Sequence, residues 1–334
     1  MNNIVITGAA GFLGGRTAKY LAQHFKENKI IATSRRDFRK DELENAGCVF
    51  MAGDLADAGF CQKLTQNTQM VIHCAALSSP WGNYDDFYTS NVVATQNLLQ
   101  AAIKNKVEKF IFISTPSIYF NFQERFKVSE AEPLPEKMVN HYATTKLIAE
   151  KWVLERNNQG IKTIALRPRA IIGAEDTVIF PRVLEAYKQG KLKIVGSGEN
   201  VVDLTCVQNV IEAIICCINA PEAAYGEAYN ITNGEPVKLW NILNLLLTDL
   251  GFAPPTKKVP KKLALWAAGF VEWKTKLLSP QKEPALTKYG IGILADNFTL
   301  DISKARKKLH YKPSQSTLEG IKEFIDWYCN HIET

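Results

Sequence analysis

The chain has 334 residues, 46% of them hydrophobic and 22% charged, with a net charge of +6 at pH 7. That length allows one large α/β unit or two lobes, and the composition is ordinary for a globular protein. There is no long Lys/Arg run and no zinc-type Cys/His spacing, which argues against nucleic-acid binding and gives no metal site. The mild basicity fits an anionic cofactor or substrate and fits a solvated surface equally well. The seven cysteines are odd in number and contain no Cys-x-x-Cys pair. They read as small buried apolar residues in a reducing compartment. No apolar run approaches the ~20 residues of a membrane span. With a strand already starting at residue 4 and no leader pattern, a cytoplasmic protein is expected.

In chain order, Ile4-Val5-Ile6 reads as a buried strand. It turns through Gly8, Gly11 and Gly14 directly into an apolar pattern of helical period, with Thr17, Ala18, Tyr20 and Leu21. Strand, glycine turn and helix together are the setting of a dinucleotide-binding fingerprint, although the spacing is Gly-x-x-Gly-x-x-Gly. Gly8 permits a tight turn, Gly11 lets backbone approach a pyrophosphate, and Gly14 lets helix pack close on strand. The helix start offers free N–H groups and the positive end of its dipole. Lys29 to Thr33 is a second strand. Where an acidic residue would bind a ribose 2′-hydroxyl, this chain has Ser34, Arg35 and Arg36. A hydroxyl and two guanidiniums suit a 2′-phosphate, so NADP(H) is favoured over NAD(H).

Cys48 to Ala52 is a third strand, followed by Asp54 and Leu55; Asp54 also suits the cap of a short helix. Met70 to Cys74 is a fourth, followed by Ala75 and Ala76, small enough for a cofactor to cross the strand end. His73 reads as structural. Residues 78–89 form an aromatic loop with Trp81, Tyr84, Phe87 and Tyr88. Asn91 opens a helix that ends near Lys104. Lys109 to Ile113, a fifth strand, delivers Ser114, Thr115, Ser117 and Tyr119 to the sheet edge. Tyr142 and Lys146, four residues apart, share one helix face. A tyrosine ordinarily titrates near ~10. A neighbouring ammonium would lower that, and a tuned phenol can pass a proton to or from a carbonyl oxygen. Lys146 would also reach the hydroxyls of a nicotinamide ribose. A sixth strand, Lys162 to Arg167, precedes Pro168 and Arg169. Val207 to Ile218 reads as a helix returning to the main sheet.

Thr7-Gly8-Ala9-Ala10-Gly11-Phe12-Leu13-Gly14, the hydroxyl-rich strand end and Tyr-x-x-x-Lys, in that order, resemble the extended short-chain dehydrogenase/reductase family. Phe180-Pro181-Arg182, the 192–205 run through Gly196-Ser197-Gly198, and Tyr229-Asn230-Ile231-Thr232-Asn233-Gly234 resemble its 3β-hydroxysteroid dehydrogenase branch. Within that branch the likeness is greatest to bacterial 2-alkyl-3-oxoalkanoate reductases. It covers nearly the whole chain and is weakest over 253–296. It implies Thr115, Tyr142 and Lys146 as the catalytic set, with Ser114 and Ser117 as competitors for Thr115. It implies a cofactor held by Gly8, Gly11, Phe12, Leu13, Gly14, Ser34, Arg35, Arg36, Asp54, Leu55, Ala75, Ala76, Asn91, Tyr142, Lys146 and Pro168. Asp54 and Leu55 would lie against adenine, Asn91 would support the active-site backbone, and Pro168 would pass near the nicotinamide. Homodimers paired through the helices bearing Asn91 and Tyr142 are likewise implied. Sugar-nucleotide members often carry Tyr-Gly where this chain has Ile172-Gly173, which weakens that reading.

The expected fold is a Rossmann-type, doubly wound parallel α/β sheet over 1–170, with 203–220 returning to it. Residues 171–334 would mainly form a smaller substrate-binding lobe. The expected activity is reduction of a bulky apolar carbonyl, such as a 3-oxo acid or sterol, or the reverse oxidation. Phe120, Phe122, Trp81, Tyr84 and Trp266 would suit its apolar part, and Arg169 or Arg182 a carboxylate. The alternatives are a nucleotide-sugar epimerase or dehydratase on the same scaffold, and a non-catalytic NADP-binding regulator. The helix read over Leu263 to Leu278 leaves three readings open: packing on its own lobe, a lid over the substrate, or peripheral contact with a membrane surface.

Overall fold

The computed structural model describes residues 3–279 and 281–331. Seven apolar segments become the strands β1 (Asn3–Thr7), β2 (Lys29–Ser34), β3 (Val49–Ala52), β4 (Thr68–His73), β5 (Lys109–Ile113), β6 (Lys162–Pro168) and β7 (Glu227–Ile231). They form one parallel sheet in the order β3-β2-β1-β4-β5-β6-β7. The period-2 alternation of a strand sends Ile4 and Ile6 to one face of the sheet and Val5 to the other. On the first face lie α1 (Phe12–His24), through Ala18 and Leu21, and Val207–Ile218, through Val210 and Ile214. On the second lie Ala94–Lys104, through Leu98 and Ala102, and His141–Leu154, through Ala149 and Val153. These further helices are, in chain order, α2 (Ala94–Lys104), α3 (His141–Leu154) and α4 (Val207–Ile218). Both faces are thereby covered, as continuous apolar parallel strands require.

The expected strands and the helix at 207–218 stand where the sequence put them. The return to the main sheet is wider than 203–220, because β7 is its edge strand and Ile302, Ala305, Leu309 and Tyr311 join the α1/α4 core. The helix expected to open at Asn91 begins instead with a wider π-helical turn, Tyr88–Val93, before α2. Asn91 does not cap it; its amide bonds Leu77 and Thr145.

The rest of the chain forms a second body beside the sheet's carboxyl edge. It contains α5 (Leu239–Asp249), α6 (Lys261–Leu278), α7 (Lys288–Ala295) and α8 (Thr317–His331). Short strands at 237–238, 201–202, 298–300 and 125–128 pair in that order. Trp240, Leu243 and Leu246 of α5 pack with Phe180, Leu184 and Phe324. The helix α6 is unusual. It buries only its small residues Ala264 and Ala268, while Leu263, Trp266, Phe270, Trp273 and Leu277 are 54–71% exposed. Of the three readings left open, packing on its own lobe holds for one side only: Ala264, Ala268 and the half-buried Leu265 pack with Val195 and Ile291, and the large side chains stay outside. No helix among the described residues is long and apolar enough to cross a membrane.

Candidate active site

Chain order in the sheet reverses between β1 and β4, where open α/β sheets bind ligands beyond their strand ends. A cleft of about 2050 Å³ opens there and runs into the second body. At its floor, β1 turns into α1 through Gly8 at φ +70°. A Cβ on Gly8 would lie 2.8 Å from the Ala75 backbone, and one on Gly14 would lie 2.4 Å from the Gly8 carbonyl. Both positions need glycine because backbone meets backbone there. Gly11 is exposed to the cleft and caps α1 without a side-chain bond, and the first turn carries no acid. This cradle leaves helix N–H groups beside an open, uncharged backbone surface. It fits the diphosphate of a dinucleotide.

Along the cleft from this cradle, β2 delivers Ser34, Arg35 and Arg36 to the rim. The Ser34 hydroxyl donates to the Arg36 carbonyl. Arg35 stands 3.9 Å from Asp54, both well exposed, a pairing worth little. Asp54 accepts from the Ala56 amide, while Asp57 caps the short helix Ala58–Leu64. Leu55, Ala75, Ala76 and Pro168 also line the cleft, as do Phe12 and Leu13. Asn91 does not. It lies 1% exposed behind the Leu77 backbone and ties it to Thr145 of α3, so it positions the wall instead of touching a ligand. His73 is structural: its two ring nitrogens meet Thr7 at 2.7 Å and Thr95 at 2.9 Å. Burial pulls its pKa down to about 3, so it stays neutral. Arg39 bonds the Gly11 carbonyl from outside the turn while paired with Glu42 and Glu175. Its position in a charged loop gave no signal of this.

The proton-handling groups sit where β5 and α3 converge. Asn140 caps α3 by accepting from Ala143, which points Tyr142 into the cleft in the first turn. Of the three competing hydroxyls, that of Thr115 lies beside the Tyr142 phenol and acts to lower its pKa. Thr115 in turn donates to Ser117 at 3.0 Å, and Ser117 meets Tyr289 of α7 at 2.8 Å. The Ser114 hydroxyl is buried without a partner and also faces the cleft. One turn beyond Tyr142, Lys146 is 2% exposed, donates to the Ile113 carbonyl at 2.5 Å, and lies 3.9 Å above the Phe112 ring.

The expected lowering of the Tyr142 pKa is not found. Burial raises it to about 12, the Thr115 bond opposing. Burial likewise brings Lys146 down to about 7, opposed by Glu150. The ammonium faces a carbonyl and a ring instead of the phenol, so Tyr142 is held protonated.

The aromatic residues expected around a substrate lie elsewhere. Phe120 is packed against Phe298, and Phe122 and Trp266 line a separate shallow groove. The apolar wall of the main cleft comes from Leu204, Leu243, Leu263, Leu286, Ile291 and Leu294. The spacing of these residues gave no sign that they share one surface. Both expected arginines line the cleft: Arg182 is exposed and paired with Glu283 at 3.0 Å, whereas Arg169 is buried.

Comparison with known proteins agrees with this geometry. The model of the 3-beta hydroxysteroid dehydrogenase/isomerase family matches residues 5–261. The 2-alkyl-3-oxoalkanoate reductase of Shewanella oneidensis is 33% identical over 96% of this chain and 85% of its own. The 3beta-hydroxysteroid-dehydrogenase/decarboxylase isoform 1 of Arabidopsis thaliana is 33% identical over 98% of this chain and 79% of its own. Among solved structures, UDP-glucuronic acid 4-epimerase from Bacillus cereus in complex with NAD superimposes with a TM-score of 0.77 at 23% identity. It covers 99% of this chain and 97% of its own, a likeness of fold. A parallel sheet with a glycine cradle, a Tyr-x-x-x-Lys helix beside it and a match across most of the length have one explanation: the chain belongs to the 3-beta hydroxysteroid dehydrogenase/isomerase family of extended short-chain dehydrogenases/reductases and is an oxidoreductase acting on CH–OH groups.

Proposed function

We propose that this enzyme is an NADP(H)-dependent reductase of a bulky apolar ketone of the 3-oxo acid or sterol kind, with Tyr142 as its proton donor. The observation that carries the reading is the Tyr142–Thr115 hydroxyl pair in the same cleft as the glycine cradle, with the partly buried phenol held protonated by its desolvation. Gly8, Gly11, Phe12, Leu13 and Gly14 would hold the diphosphate. Asp54, Leu55, Ala75 and Ala76 would flank the adenosine half, and Lys146 and Pro168 the nicotinamide half. A bound nicotinamide would supply the hydride. Tyr142 donates its proton to the carbonyl oxygen as negative charge develops there, and Thr115 fixes that oxygen by a second hydrogen bond. Lys146 braces the floor of the site from the Ile113 carbonyl. Relatives named as 2-alkyl-3-oxoalkanoate reductase and as sterol-4-alpha-carboxylate 3-dehydrogenase support an apolar carbonyl substrate.

The absence of an acid at the end of β2, with Ser34, Arg35 and Arg36 at the cleft rim, supports the 2′-phosphate reading. Fluorescence titration tests it. NADPH should bind roughly 10–100-fold more tightly than NADH, the range of one or two charge-assisted bonds, and Arg36→Ala should remove most of that margin. Equal or tighter NADH binding in the wild type would contradict it.

We also propose that α6 lies on an anionic lipid surface. Leu263, Trp266, Phe270, Trp273 and Leu277 follow one another at helical spacing, and all are exposed. Lys262, Lys274 and Lys276 are exposed on the same helix, and Lys257 and Lys258 just before it. Aromatic side chains bordered by lysines match the boundary between acyl chains and acidic headgroups. Leu263 and Ala267 of this helix also line the cleft, which would open toward the bilayer. The protein should co-sediment with phosphatidylglycerol vesicles, weakly with phosphatidylcholine vesicles, and Trp266→Glu should abolish the former. Equal recovery of variant and wild type would reject the proposal.

A further inference from the structure

β6 runs out through Arg167-Pro168-Arg169, two arginines of nearly equal burial and opposite circumstance. Arg167 is 7% exposed and fully engaged: Nε donates to Glu150 at 2.8 Å, and its other nitrogens bond Glu150 and the Tyr119 hydroxyl. Arg169 is 8% exposed, yet its Nε has no hydrogen-bond partner, and its guanidinium makes no ion pair among the described residues. Its guanidinium stands 4.9 Å from the centre of the Phe298 ring. The nearby carboxylate, Asp203, accepts instead from the Leu300 amide at 2.6 Å. A guanidinium does not shed its proton in a protein, so this is a desolvated cation with no hydrogen-bonded counter-ion. Burial does press its pKa downward, which is the mark of that cost.

Arg169 faces the cleft, and the cleft connects it to the chemistry. Tyr289 lies near enough to interact with the guanidinium electrostatically, and its hydroxyl ends the hydrogen-bonded chain Thr115–Ser117–Tyr289, which starts beside Tyr142. A proton donor for a carbonyl oxygen therefore stands at one end of a short hydroxyl chain and a bare cation near the other.

Resting on the reductase reading above, we propose that Arg169, assisted by the Tyr289 hydroxyl, is the carboxylate-recognition subsite of this enzyme, and that it selects acids whose carboxylate is close to the reacting carbon. A 3-oxo acid, or the 3-hydroxy acid formed from it, has that spacing, because only one carbon separates its two functional groups. The guanidinium takes the carboxylate, Tyr142 and Thr115 take the other oxygen, and the alkyl chain runs over Leu204, Leu243 and Leu286. The desolvated cation is then a specificity device: an acid neutralises it, and a substrate without the anion leaves it bare.

The test uses the full chain with NADP⁺ and two chemically stable substrates, 3-hydroxytetradecanoate and 2-tridecanol. They share their alkyl chain and differ in the carboxylate. The wild type should favour the acid in kcat/KM by about 10–100-fold, the worth of a hydrogen-bonded charge pair, mainly through KM. Arg169→Met should collapse that ratio toward one, and Arg169→Lys should restore part of it. An unchanged melting temperature for Arg169→Met guards against misfolding. Turnover of both substrates without acid preference, or an undiminished preference in Arg169→Met, would overturn the subsite while leaving the reductase reading intact. Calorimetric binding of the acid that depends on Arg169, without turnover, would support the subsite and sink the reductase reading. Neither binding nor turnover of the acid would overturn the subsite.

Discussion

The two arginines that end β6 are chemically identical and two residues apart, and they differ in what surrounds them. Arg167 points to Glu150 on α3 and belongs to the sheet's own architecture. Arg169 points across to the second body, where Phe298 and Tyr289 come from segments more than a hundred residues away. The same contrast holds for the whole cleft. Its sheet side is built from short continuous motifs, each delivering adjacent residues to one strand end. Its far side is assembled from segments far apart in sequence, chiefly 177–193, 202–204, 239–243, 259–267 and 283–294. A closed ion pair is a device of stability, and an open buried cation is a device of binding.

Substitution should separate the two. Arg167→Met leaves Glu150 buried without its counter-ion, and stability should fall by about 3–5 kcal/mol in urea unfolding. Arg169→Met strands no hydrogen-bonded partner, since Asp203 is held by the Leu300 amide, and the same experiment should show no loss, or a gain of about 1 kcal/mol. A comparable loss in both would mean that Arg169 is structural as well. The smallest effect belongs to Trp266→Glu on the exposed face of α6, whose stability should stay within about 0.5 kcal/mol of wild type. A larger loss would mean that this face is covered by the protein itself.

The same division explains what the sequence revealed. β1 with its glycine turn, β5 with its hydroxyls, and Tyr142 with Lys146 were legible because strand period, helix spacing and glycine chemistry are local. Thr115 was preferred to Ser114 and Ser117 from the family resemblance, and its place beside Tyr142 shows only in the fold. The Tyr142 pKa was misjudged because sequence spacing places Lys146 on the same face but says nothing of the Ile113 carbonyl that receives its ammonium. The aromatic wall was misjudged because Phe120, Phe122 and Trp266 are close to the site in sequence or type, and the fold turns them elsewhere. Tyr289 was invisible, since its role rests on a contact 172 residues away. The expected return over 203–220 was too narrow for the same reason: β7 is recognised as a strand of the main sheet only by pairing with β6.

The most direct test of the central claim is the fate of deuterium when [4-²H]NADPH, labelled on the transferring face, is incubated with a long-chain 3-oxo acid. The product alcohol should carry one deuterium at its carbinol carbon by mass spectrometry. Tyr142→Phe should form it at least 100-fold more slowly, the usual range for a lost general acid, while binding NADPH within about threefold of wild type. Product without the label, or wild-type turnover in Tyr142→Phe, would contradict the account.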